Sequence, residues 1–138
     1  MQYKWAAELA QIEGCPPGDV LPGRGDAYRF VHELIEDERN FTCVAKLNPA
    51  RKLRPGDLCS GLGLSMFATR ESAIRRYRSL LATNRNLPKT LGSKLAVGTL
   101  EPGDGRMSKP SASGHTDLWQ AEEADLPARF RIVADLIP

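Results

Sequence analysis

Few groups in this chain can do acid–base or nucleophilic chemistry, and their spacing narrows what each could do. There are two histidines, His32 and His115. His115 follows a small, polar, glycine-ended stretch and precedes Thr116-Asp117-Leu118-Trp119. On one reading its imidazole stands at a cleft mouth with Trp119 as a stacking wall. On the other it is a surface histidine beside a core tryptophan. His32, next to Glu33, carries a weaker signal. Ser65, within Gly63-Leu64-Ser65-Met66-Phe67, lacks the flanks of a nucleophile elbow, so no hydrolase motif stands behind it. Gly61-x-Gly63 lacks a third glycine and follows a polar loop, which fails as a dinucleotide fingerprint and suits a tight entry into a strand. The three cysteines, Cys15, Cys43 and Cys59, are odd in number and widely spaced. They predict reduced, inert and partly buried thiols of a bacterial-type cytosolic protein, not a disulfide framework. With no C-x-x-C pair and two histidines, no structural metal site is expected.

The basic residues form the second chemical feature. The net charge is only +2, but residues 1–50 carry a net of −3, residues 51–110 a net of +8, and residues 111–138 a net of −3. Arg70, Arg75, Arg76 and Arg78, with Arg51, Lys52 and Arg54, could neutralise phosphates or dock an acidic partner. They could equally form a solvated face whose stems cover apolar neighbours, or pair with the acidic ends of the chain. The arginines are not interleaved with outward-facing aromatics, since Tyr77 falls on the apolar stripe. Nucleic-acid recognition by stacking is therefore disfavoured.

The elements that must position these groups follow from periodicity. At 138 residues, 41% hydrophobic and 26% charged, the chain reads as one domain, 1–138. Its N-terminal part, 1–26, is a short amphipathic helix within 3–13 followed by a Pro/Gly-rich loop; 27–138 form the core. Residues 28–31 read either as a strand, by composition, or as the first turn of a helix capped by Asp26, with the strand slightly favoured; a turn or short helix at 36–38, a second strand at 41–47 and loop across 48–57 follow. The strongest pattern lies at 61–82. Residues 64–68 read as a buried strand, and Thr69 sits at an N-cap position with Glu71 in the first turn. Ala73, Ile74, Tyr77, Leu80 and Leu81 then make one stripe of a helix. Further strands are expected at 95–100, 115–120 and 129–137, with a turn at 102–105 and a flexible loop at 106–114. Strands outnumber helices without alternating with them, which predicts an α+β fold: a compact mixed or antiparallel sheet with a few short helices. No apolar run approaches a membrane span or a secretory signal, so a cytoplasmic location is expected.

The ordered set Tyr28-Arg29-x-Val31, Asn40-Phe41, Cys59, Gly63-Leu64-Ser65-x-Phe67, Gly98-x-Leu100 and Gly114-His115-x-x-x-Trp119 resembles a group of small uncharacterised bacterial proteins over about residues 27–133. The order is also similar, at a distance, to the ADP-ribosyltransferase-like fold. That resemblance implies an arginine on the first core strand contacting NAD, matched by Arg29. It implies a serine or threonine on a middle strand shaping the nicotinamide pocket, matched by Ser65. The family's late glutamate has no clean match: Glu122 and Glu123 follow Trp119 outside any recognisable glutamate motif.

What the resemblance implies is a small NAD-using, toxin-like transferase with NAD as cofactor and no metal. Arg29 would neutralise the diphosphate, Ser65 would hold the nicotinamide pocket, and Trp119 or Tyr28 would stack on a ring. His115 or Glu122 would stabilise the oxocarbenium-like ribose as nicotinamide leaves. The competing reading is a non-enzymatic binding protein, such as an inhibitor or partner from a mobile element. It would dock an acidic protein or anionic ligand through Arg70, Arg75, Arg76 and Arg78.

Overall fold

The computed structural model describes residues 1–137. Seven strands form one antiparallel sheet: β1 (Leu21–Pro22), β2 (Gly25–Val31), β3 (Leu64–Phe67), β4 (Lys94–Leu100), β5 (Gly105–Met107), β6 (His115–Gln120) and β7 (Phe130–Asp135). Their order across the sheet is β1-β5-β6-β3-β2-β4-β7. The helices are short, α1 (Ala6–Ala10), α2 (Val44–Leu47), α3 (Leu58–Gly61), α5 (Leu87–Leu91) and α6 (Leu126–Arg129), except for α4 (Arg70–Thr83). The expected α+β class is what the chain adopts.

The sheet is unevenly joined. β2 pairs with β4 along all seven of its residues, from Gly25↔Leu100 to Val31↔Lys94. It meets β3 through one pair only, Tyr28↔Phe67. β3 in turn pairs fully with β6, setting Ser65 opposite Asp117 and Phe67 opposite His115. Where the β2–β3 ladder stops, backbone groups need other partners. Arg29 supplies one: its Nη1 donates to the Ser65 carbonyl at 2.7 Å.

Two apolar clusters hold the layers together. The larger packs Leu9, Phe41, Cys43, Leu62 and Leu126 with the strand residues Ala27, Val31, Leu64, Met66, Ala96 and Leu118. The smaller joins Phe67 and Leu95 to Ala73 of α4, with Tyr28, Phe30 and Ile74 against them. The expected helical stripe is the buried face of α4: Ala73 and Tyr77 are wholly enclosed. Thr69 caps the helix, its side chain accepting from the Ser72 N–H at 3.1 Å. The Tyr77 hydroxyl donates to the Gly92 carbonyl at 2.8 Å. Gly92 has φ +84°, and a Cβ there would run into the Val31 backbone, so only glycine fits.

Three expectations are corrected. Residues 41–47 are not a strand. They form the end of a 3-10 turn (Glu38–Phe41) and α2, because burying Phe41 and Cys43 in the larger cluster outweighs their β propensity. The stretch 106–114 is not all loop, since its start belongs to β5, which gains a full ladder against β6. Cys15 and Cys59 are not reduced thiols but a disulfide, with Cα atoms 5.6 Å apart. The fold carries the proline-rich N-terminal loop to α3, a proximity that a separation of 44 residues conceals. The expectation of a reducing compartment loses that support. Cys43 remains a free, buried thiol. No described helix is long and apolar enough to cross a membrane.

Candidate functional site

The loop after β2 is organised by one buried side chain, Asn40. Its Oδ1 accepts from the His32 N–H at 2.6 Å, and its Nδ2 donates to the carbonyls of Leu34, at 2.8 Å, and Ile35, at 3.3 Å. That leaves the Asn40 carbonyl free to accept from Arg29 Nε at 2.6 Å. Arg29 is thus held by two backbone carbonyls, Asn40 and Ser65, and by no carboxylate among the described residues. Burial without a counter-charge pushes its guanidinium down to about 10. A cation so placed is expensive unless an anion comes to it.

The guanidinium lines a cleft of about 210 Å³ beside the point where β2 and β3 part. Around it lie Ser65, Phe67, His115, Arg39 and Arg76. No carboxylate lines this cleft among the described residues. Arg39 is held by Asp37, while Arg76 makes no ion pair among the described residues. A shallower groove continues from the cleft past Phe67, Arg76 and His115 to Ser111 and Ser113. Together they form one elongated, cationic, partly aromatic trough.

Ser65 and His115 touch directly. Ser65 Oγ lies 2.7 Å from His115 Nε2. Asp117 Oδ1 approaches the same nitrogen at 3.7 Å, not the far side of the ring. In a nucleophile–base–carboxylate triad the carboxylate must hold the opposite ring nitrogen, so this trio does not make one. Burial pushes the Asp117 carboxyl up, against the pull of His115. The His115 ring stands edge-on to Phe67, with centroids 5.5 Å apart. His32 lines the cleft from the other side, and its burial, aided by Arg39, lowers its pKa.

Arg29, Ser65 and His115 therefore converge, and Arg76 joins them. The other expected site residues lie elsewhere. Trp119 is buried, with its indole N–H on the Cys59 carbonyl at 3.0 Å. Tyr28 packs under α4 in the smaller cluster. Glu122 is exposed in the turn after β6, with its backbone N–H on the Gln2 carbonyl. Neither Tyr28 nor Trp119 lines the cleft, and its phenylalanines are Phe30 and Phe67. Arg70, Arg75 and Arg78 are exposed on α4 and make no ion pairs among the described residues. The pairing of this helix with the acidic chain ends is not what the fold uses.

Phe67 and Asp117 were quoted in the sequence patterns but given no role in the site, although a signal was present. Each lies two residues after a flagged one, Ser65 and His115, on a predicted strand, and period two puts such residues on one face. Arg39 carried no such signal, and Asn40 entered only within the resemblance set without a role, because both act through loop closure. The chain matches no protein-family model, and no curated protein and no solved structure matches it.

Proposed function

We propose that the chain binds NAD, or a closely related adenine dinucleotide, in the trough that starts at Arg29, in the manner of an ADP-ribosyltransferase-like protein. The observation that carries this reading is the half-buried guanidinium of Arg29, without a carboxylate partner among the described residues, on the wall of a cleft that also presents Ser65 and His115. A diphosphate supplies the missing counter-charge. The cleft and the groove share Phe67, Arg76 and His115, which suits a ligand of two joined parts, and Arg76, without an ion-pair partner among the described residues, stands where one opens into the other. Within this reading Ser65 and Phe67 shape the ring-binding end, with Phe67 in the stacking role that sequence assigned to Trp119 or Tyr28. His115 is the group beside them with ring nitrogens able to face a ribose.

Titration calorimetry with NAD tests the reading, run on the wild type and on Arg29→Lys. The wild type is expected to bind at or below millimolar NAD. The lysine variant, which keeps the charge but loses the two-carbonyl fork, should bind at least about tenfold more weakly, the loss of one charge-assisted contact. Absence of heat at millimolar NAD, or equal affinity of the two proteins, refutes it.

A further inference from the structure

β6 alternates, so His115 and Asp117 project to one side of the strand, opposite Phe67 and Ser65 of β3. Both Ser65 Oγ and Asp117 Oδ1 face a single ring atom, His115 Nε2, at 2.7 and 3.7 Å. A hydroxyl can donate or accept and adapts to whatever it meets, whereas an ionised carboxylate only accepts. The carboxylate, 15% exposed and thus weakly screened, favours a proton on the nitrogen it faces. His115 Nδ1 has no hydrogen-bond partner among the described residues, and the side chain lines both the cleft and the groove. The edge-on contact with Phe67 restricts rotation of the ring.

We infer that Asp117 is a positioning residue: it keeps the uncharged His115 in its Nε2–H form, so that Nδ1 serves as the acceptor for a sugar hydroxyl of the bound ligand. This deepens the dinucleotide reading and rests on it for the identity of the sugar. Ser65 then accepts from Nε2–H, and its own hydroxyl proton is free for the ligand. The trio thereby acts as a hydrogen-bonding template and not as a nucleophile.

The tautomer is directly observable. The protein labelled with 15N-histidine, at about pH 8.5 where free imidazole is uncharged, gives long-range 1H–15N spectra in which His32→Gln assigns the two rings. The expected result is an Nε2–H ring at position 115 in the wild type. Asp117→Ala and the isosteric Asp117→Asn should both shift it toward mixed tautomers. A wild-type Nδ1–H ring, or an unchanged tautomer in both variants, overturns the inference. In parallel, Asp117→Asn should weaken ADP-ribose about tenfold, one hydrogen bond's worth. Inorganic pyrophosphate, which lacks the sugar, should bind it as it binds the wild type. An equal loss for both ligands, or for neither, overturns the hydroxyl-acceptor role. If wild-type protein binds neither probe, the dinucleotide reading falls, while the ligand-free spectra still decide what Asp117 does to the ring.

Discussion

Asp37 shows how one side chain serves both the fold and the trough. Its Oδ1 accepts from the Arg39 N–H at 3.0 Å, capping the turn that carries Asn40. The same carboxylate takes Arg39 Nε at 3.1 Å and Nη2 at 2.7 Å. These bonds pull the carboxyl down to about 2. The folded protein therefore gives up this proton more readily than the unfolded chain, whose carboxyl titrates near 3.9. The resulting stability is complete above about pH 4 and is lost as pH falls toward 2. Asp37→Asn should flatten the acid limb of the stability curve in that window, read by urea unfolding at a series of pH values. An identical acid limb would mean the bonds contribute nothing. At this scale the sequence was legible where chemistry is rare. His115 stood out by type and place, Arg29 and Ser65 through the family resemblance, and the three meet. Trp119 misled because a large aromatic beside a histidine suits a cleft wall and a core equally. Its indole N–H found a backbone carbonyl, and the core took it.

Among the elements, the β3–α4 unit was the most readable, because strand pattern, cap and helical stripe agree along one continuous stretch. The disulfide was the least readable, since it joins elements that only the finished fold brings together. It ties the N-terminal loop to α3, and α3 leads through Gly63 into the strand that bears Ser65. The fit there is close: a Cβ on Gly63 would stand 3.2 Å from Asp117 Cβ and 3.3 Å from the Trp119 ring. Closing a loop of this length restricts the unfolded chain, so Cys15→Ser should cost about 2–4 kcal/mol in chemical unfolding. Thiol titration gives the direct check. Burial pushes the Cys43 thiol up and hides it, so the native protein should show no reactive thiol. Denaturation without reductant should reveal one, and denaturation with reductant three. Three thiols without reductant would show the pair unbonded.

At the scale of the whole molecule, the uneven charge of the sequence resolves into two kinds of cation. Some are paired across the chain, as Lys46 with Glu8, Lys94 with Asp135, and Arg129 with Glu101 and Asp104. Others, on α4 and in the cleft, stay available for an anion. Sequence could count these charges but not sort them, because pairing depends on which loops meet. The sheet has a matching division. Four strands, β1-β5-β6-β3, and three, β2-β4-β7, are held edge to edge by the single pair Tyr28↔Phe67 and by Arg29. So few backbone bonds make this seam the weakest line of the sheet's hydrogen-bonded ladder, although one apolar cluster packs residues of both halves. Amide exchange should be faster at residues 65–67 than along the β2–β4 ladder, and an anion on Arg29 should slow it. Uniform protection across both would show a single unit. A ligand in the trough would then act as a rivet between two half-sheets, so that occupancy sets how often the molecule breathes.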